Sequence, residues 1–359
     1  MLVSQTRGPG LAGQVFRVAS TYVGTVVGAG FASGQETLRF FAAYGRSGLI
    51  GIGVATAAFC IYGVMVMELG RRLQARSHRE ILHYACGPFF GRLMDAALTL
   101  FLGATLTVML AGGGAIFGEQ LGLPKGVGVI LTAVLTGVTI LFGMRGIMAA
   151  NGIVVPLLTA AVAGLSAATI HFHGFGPILA NSVPWPLLAP VKSWFLASWL
   201  YVGYNLVLSI SVLAPLGAEI NNRRALVGGG LVGGLTLGLL AAGIKMAVSA
   251  HMPEIGHVEV PMLFLARLHP LPVQWFYTLI LWAEIYTTAI ACAYGFAGRV
   301  SEWMGGQYRN VVVLITAVAL FGSGFGFSTL LSVLYPLFGF VTLIVLLGLT
   351  VIGVKRWLT

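Results

Sequence analysis

The sequence predicts an all-α membrane protein of about ten transmembrane helices, built as two five-helix halves of opposite topology with the first helix of each half broken. Three observations carry this. Hydrophobic residues make up 58% of the 359-residue chain and charged residues only 8%, and mean hydropathy is +0.94, outside the range of soluble domains. Lysine and arginine gather between hydrophobic runs rather than on a separate basic domain. Glycine and polar residues interrupt two of those runs about half a chain apart.

Apolar runs near or above the ~20 residues that cross a bilayer as a helix place the first five spans at about 15–43, 48–70, 93–118, 126–142 and 148–170. The second five fall at about 193–216, 225–250, 273–300, 310–325 and 329–354. A β-barrel would show shorter alternating segments instead. Residues 1–14, which lack the apolar core of a signal peptide, read as a tail retained in the cytoplasm. Residues 15–170 then form the first repeat, 171–192 an extracytoplasmic connection, 193–354 the inverted second repeat and 355–359 a cytoplasmic tail.

With the N-terminus inside, fourteen of the 20 Lys and Arg residues fall on the cytoplasmic side, Arg71, Arg72, Arg76, Arg79, Arg223 and Arg224 among them. Four fall outside: Arg46, Lys125, Lys192 and Arg267. This bias fits an even span count and explains the net charge of +10 as a topology signal. The expected partners are therefore the lipid bilayer and a small-molecule substrate, with no nucleic acid. Cys60, Cys86 and Cys292 have no metal-ligand or redox spacing and read as packing residues. No Walker-type phosphate loop is present, so no cofactor is expected and ATP-driven pumping has no support.

The first span holds Gly28-Ala29-Gly30-Phe31-Ala32-Ser33-Gly34-Gln35-Glu36 midway along, and the sixth holds Tyr201-Val202-Gly203-Tyr204-Asn205 at a similar depth. An odd number of spans per half inverts the second half, so the pair of interruptions points to a site between two broken helices. Glycine also lets membrane helices pack closely, which suits runs such as Gly228-Gly229-Gly230. At residues 28–34 a break is the stronger reading, because Gln35 and Glu36 would be costly in an intact lipid-facing helix.

Two carboxylates stand out. Glu36 sits at the edge of the first interruption and must face protein, water, an ion or a proton, with Arg39 as its structural alternative. Glu284, Thr287, Thr288 and Ala291 follow i, i+3, i+4, i+7 spacing and share one helix face. A carboxylate with two hydroxyls supplies the hard oxygen ligands a small cation requires, although threonine hydroxyls also bond back to their own helix. The loop with His251, Glu254, His257, Glu259 and His269 lacks a recognised metal spacing and reads as a solvated outer loop or gate.

Gly24-Thr25-Val26-Val27-Gly28-Ala29-Gly30 followed by Leu38-Arg39-Phe40 resembles the first helix of the LeuT-type sodium symporters. Thr287-Thr288-Ala289-Ile290-Ala291 resembles the part of their eighth helix that carries a sodium-binding hydroxyl pair. The whole chain resembles the YkvI-type family of bacterial membrane proteins, in the amino acid–polyamine–cation superfamily. The resemblance implies a LeuT-like fold in a bacterial inner membrane, sodium ligands from the carbonyls of Gly24 and Val27, and sodium-binding side chains at Thr287 and Thr288. Glu284 matches a position that supplies a carbonyl, and its acidic side chain opens the choice between sodium and a proton as coupling ion. Phe31 stands where a second sodium would take an asparagine, which implies no second site, and Arg39 corresponds to an outer-gate residue.

The function expected is cation-coupled symport of a small polar solute, an amino acid or related amine. Backbone at Gly28, Gly30, Ser33, Gly34 and Gly203 would meet it, with Gln35, Tyr201, Tyr204 and Asn205 as polar contacts and Glu36 for an ammonium. A ligand sensor that binds without turnover is the alternative on the same scaffold. An intramembrane enzyme is disfavoured, because no set of nucleophile, base and orienting group is visible.

Overall fold

The computed structural model describes residues 10–174, 189–252, 254–257, 260–305, 307–325 and 327–357. Most of the N-terminal tail, most of the 171–192 connection, Glu259 and the end of the C-terminal tail lie outside the described residues. Among the described residues every regular element is helical.

The first span comes in pieces: α1 (Leu11–Val26), α2 (Ala29–Ala32) and α3 (Gln35–Phe40), then a 3-10 turn at Ala42–Tyr44. The α1 ladder ends where the Val27 amide donates to Val23 O at 2.7 Å, and Val27 itself is extended at φ −71°, ψ 121°. A second break follows at Ser33 and Gly34, where Gly34 takes φ 83°, a left-handed value that costs glycine no Cβ clash. The remaining helices are α4 (Ser47–Leu73), α5 (His78–Leu121), α6 (Lys125–Ile140), α7 (Gly143–His173) and α8 (Trp194–Ile220). They continue with α9 (Arg223–Ser249), α10 (Pro261–Arg267), α11 (Leu271–Met304), α12 (Tyr308–Gly322) and α13 (Phe327–Trp357). Six of them, α4, α5, α7, α8, α9 and α11, are long and apolar enough to cross a membrane, while α6, α12 and the Leu337–Gly353 part of α13 are shorter apolar helices. The first span is missing from the long set because its backbone breaks twice.

The break expected at residues 203–205 is not there. Helix α8 is continuous, and Asn205 Nδ2 donates to Tyr201 O at 3.0 Å, so the polar side chain is satisfied by its own helix without unwinding. Gly203 is a packing residue: a Cβ there would sit 2.7 Å from Thr342 Oγ1 of α13. The outer loop is also more than a solvated connection. It carries α10, whose Pro261, Met262, Leu263, Leu265 and Ala266 are buried, and the Met262 amide donates to Ser33 O at 2.9 Å, so α10 caps the second break of the first span.

Small residues set the spacing of the bundle. Between α4 and α8, Gly70 faces the Ala214 carbonyl and Gly217 faces the Met67 carbonyl, so closely that a methyl group on either would overlap backbone. Helix α1 packs against α7, α8, α9 and α11, which puts its broken end in the middle of the protein. Helix α5 starts at Ser77, which forms a capping box with Glu80, and kinks at Gly87 (φ 78°, ψ 176°) ahead of Pro88. The span expected at 93–118 is its second part. Near that kink, Arg299 Nε of α11 donates to both oxygens of Asp95, at 2.7 and 2.8 Å, and His78 Nε2 lies 3.1 Å from Asp95 Oδ1.

Candidate functional site

Helix α2 is four residues long and lies between two carboxylates. On the α11 side, the Tyr277 hydroxyl donates to Ala32 O at 2.6 Å and Thr288 Oγ1 donates to Val27 O at 2.9 Å. Tyr277, Glu284 and Thr288 are spaced by two turns and then one, so the two bonds bracket Glu284 and turn it toward α2. Glu284 is fully buried; Thr287 Oγ1 lies 3.3 Å from its Oε2, and Oε1 has no hydrogen-bond partner. Thr287 Oγ1 also donates to Glu284 O at 3.0 Å.

On the other side α3 folds back so that Glu36 meets the Cα of Gly30, where any side chain would collide with the carboxylate. Glu36 is 8% exposed and its Oε2 has no hydrogen-bond partner. Its carboxyl lies within interaction range of the Tyr204 and Asn205 side chains, and the Tyr201 hydroxyl, itself without a hydrogen-bond partner, stands nearby. Phe40, Tyr201 and Tyr204 pack on one another as a ring triad, with centroid separations of 5.6, 5.6 and 5.8 Å.

Between these halves is a cavity of about 10 Å³ walled by Thr25, Gly28, Glu36, Asn205, Thr288 and Cys292 among others. That is room for one water-sized occupant. A larger cavity of about 250 Å³ between α7 and α11 is lined mostly by apolar residues, so the carboxylate, amide and hydroxyl groups gather at the smaller one. The structure thus gathers Gly28, Glu36, Asn205 and Thr288 around one space, with Gly30, Tyr201 and Tyr204 directly behind Glu36. Glu284 and Thr287 form a neighbouring pair and do not line the cavity. Ser33 Oγ donates to Gly30 O at 3.0 Å, and Gln35 Oε1 accepts from Arg39 Nε at 3.3 Å, so both serve the local fold of the break. Gly203 points away, toward α13.

No family model matches the chain. Membrane protein YkvI of Bacillus subtilis (strain 168) is 32% identical over 332 residues, which is 92% of this chain and 94% of the relative. The chain belongs to the YkvI family of membrane proteins. YyaD of the same organism is 26% identical over 338 residues, covering 93% and 96%. Solved LeuT-fold transporters share the fold. Mhp1, a nucleobase-cation-symport-1 family transporter closed around bromovinylhydantoin, has a TM-score of 0.61 at 15% identity, covering 88% of this chain and 72% of its own. A Na+-coupled sialic acid symporter has 0.67 at 14%, covering 93% and 78%. MhsT in complex with L-phenylalanine has 0.67 at 16%, covering 93% and 87%.

In this YkvI-family chain the structure also adds residues that sequence reading passed over. Asn151 of α7 is fully buried against Gly24; its Nδ2 donates to Thr21 O at 3.4 Å and its Oδ1 has no hydrogen-bond partner. Phe40 belongs to the ring triad. A lone amide in the apolar fifth span was the available signal for Asn151; Phe40 offered none.

Proposed function

We propose that this YkvI-family protein is a cation-coupled secondary transporter that carries a small polar solute, an amino acid or related amine, past the broken first span. The observation that carries the reading is the pair of buried carboxylates flanking α2, each with a partnerless oxygen. An uncompensated charge in such a place costs several kcal/mol, so a bound cation or proton belongs in the working cycle. The similarity in fold to the sialic acid symporter, Mhp1 and MhsT supports transport as the use made of it.

In this reading Glu36, Tyr201, Tyr204, Asn205 and the backbone at Gly28 and Gly30 hold the solute, with Ser33, Gly34 and Gln35 shaping the break. The carbonyls of Gly24 and Val27, the hydroxyls of Thr287 and Thr288 and the Glu284 carboxylate hold the coupling ion. These are hard oxygens, the donor set a sodium ion takes, and the orphaned Glu284 Oε1 fits that role. Ten spans with both termini in the cytoplasm of a bacterial inner membrane, arranged as inverted repeats at 15–170 and 193–354, complete the proposal. Purified protein in proteoliposomes under imposed sodium or proton gradients tests it. Gradient-driven accumulation of an amino acid or amine is the expected result. Binding without accumulation under either gradient would mark a sensor and end the transporter reading.

A further inference from the structure

The larger cavity, of about 250 Å³ between α7 and α11, takes no part in the transporter reading, and three features bear on what occupies it. The first is its shape. Ala160, Gly164 and Ala168 recur every four residues along α7, and His269, Val273 and Tyr277 recur at the same interval into the start of α11. Eight residues of helix rise about 12 Å, so the cavity is a trench running between two helices. Its α7 wall is low: a Cβ on Gly164 would meet nothing within 4 Å. Ala160 and Gly164 are exposed, as is Phe276 on the opposite wall, and in a membrane-spanning bundle an open apolar face of this kind meets lipid.

The second feature is the polarity along the trench. Its length is apolar, but one end is basic: His269 lines it four residues before the span expected at 273–300, and exposed Arg267 lies two residues further back. No Asp or Glu lines the trench. The ends of spans lie at headgroup depth. A basic end at that depth above an apolar groove matches a phospholipid, whose phosphate accepts hydrogen bonds from imidazole and guanidinium while an acyl chain fills the groove.

The third feature is the other end. Tyr277 closes the trench, and its hydroxyl donates at 2.6 Å to the carbonyl of Ala32, the last residue of α2. A chain in the trench supplies dispersion contacts to Tyr277 and thereby restrains the side chain that ties α11 to the second break.

We propose that a phospholipid binds in this trench, its phosphate at His269 and one acyl chain against Tyr277, and that the bound lipid steadies the second break of the first span. The proposal does not depend on which solute or ion the protein carries. Purified full-length protein, stripped of lipid in detergent, is titrated with phosphatidylglycerol, with glycerol phosphate as the headgroup without chains and diacylglycerol as the chains without a phosphate. Native mass spectrometry reports occupancy. Thiol labelling of Cys292, which lines the small cavity, reports opening beside the break, in a Cys60→Ala, Cys86→Ala background. The expected result is saturable binding of phosphatidylglycerol, at least tenfold tighter than either fragment, weakened at least tenfold in Gly164→Leu and at least threefold in His269→Ala. Bound lipid should slow Cys292 labelling at least threefold, an effect lost in Tyr277→Phe. The Gly164→Leu side chain enters open space and should leave lipid-free stability unchanged; if that variant does not fold, Ala168→Leu fills the same trench. Equal lipid binding by wild type and a folded trench-filling variant overturns the site. A wild-type dimer in lipid-free detergent that Gly164→Leu makes monomeric assigns the trench to a second copy of the chain and overturns the lipid. Lipid that binds without slowing Cys292 labelling overturns its hold on the break.

Discussion

Thr288→Ala removes one hydroxyl and produces two separable losses. That hydroxyl donates to Val27 O at 2.9 Å, with Thr288 6% and Val27 0% exposed. Deleting it leaves a buried carbonyl without its donor, which costs about 1–3 kcal/mol. This first loss is independent of sodium and is read as reduced thermal stability in choline buffer. The second depends on sodium and arises only when hydroxyl and carbonyl are ligands of the coupling cation. At a sodium concentration 100 times Kd, wild-type protein gains about 2.7 kcal/mol. Losing about 2 kcal/mol of ligand contact raises Kd roughly 30-fold at ~1.4 kcal/mol per tenfold, and the gain at the same sodium falls to about 0.9 kcal/mol. The assay is thermal unfolding in detergent across a sodium series at constant ionic strength, for wild type, Thr288→Ala and Thr288→Ser. Serine keeps the hydroxyl and should restore both terms. A Thr288→Ala protein whose stability climbs with sodium as steeply as wild type refutes the ligand role, whatever its stability without sodium.

Three other outcomes are expected. Glu284→Gln should abolish accumulation driven by the coupling gradient while leaving solute counterflow, and unchanged gradient dependence in folded mutant protein would remove Glu284 from the mechanism. Gly203→Ala should destabilise by forcing Thr342 aside, and adding Thr342→Ala should recover most of that loss, since the nearest remaining Thr342 atom, its Cβ, lies 3.6 Å from the new methyl; failure of this rescue would argue that Gly203 does more than pack. Asp95→Ala should cost about 3–5 kcal/mol because it strands a buried guanidinium, toward the low end while Glu302 remains 2.6 Å from Arg299 Nη1; a loss below about 1 kcal/mol in chemical unfolding would show that the pair does not hold α5 to α11.

What the sequence made legible followed from local rules. Long apolar runs located the helices, and the string from Gly28 to Glu36 located the first break, because glycine beside polar residues is costly in lipid. The same logic misplaced a break in α8. There Tyr201, Gly203, Tyr204 and Asn205 resemble an interruption by composition, but Asn205 has a carbonyl four residues back to donate to and Gly203 has a neighbour in α13 to accommodate. Both answers depend on geometry that composition does not encode. The Asp95–Arg299 pair joins residues 204 apart in sequence, and the docking of α10 onto Ser33 joins an outer loop to the first span. Neither leaves a periodic trace. Glu36 and Glu284 were recognisable singly as intramembrane carboxylates, yet their placement on opposite sides of α2 needed the fold.

The distribution of close contacts identifies which elements are free to move. Helices α4 and α8 touch backbone to backbone at Gly70 and Gly217, and close-packed contacts of this kind do not deform gradually. The first span has two points without a continuous helical ladder, at Val27 and Gly28 and at Ser33 and Gly34. The bonds that hold these points are few and local: the Thr288 bond to Val27 O at the first, and the Tyr277 bond to Ala32 O, the Ser33 and Gly34 bonds to Gly30 O and Phe31 O and the Met262 bond to Ser33 O at the second. Helix α1 belongs with the static part, because its Tyr22 hydroxyl donates to Phe59 O of α4 at 2.8 Å and Gly63 of α4 and Gly229 of α9 close on its Tyr22 and Val18 side chains. Motion that opens the small cavity should therefore run through α2 and α3 against α1, α4 and α8. Spin labels on the exposed face of α3 and on α8 should show a separation that changes with solute and coupling ion, while labels on α1 and α4 should keep theirs. A changing α1–α4 distance with a fixed α3–α8 distance would reverse the assignment of moving and static parts.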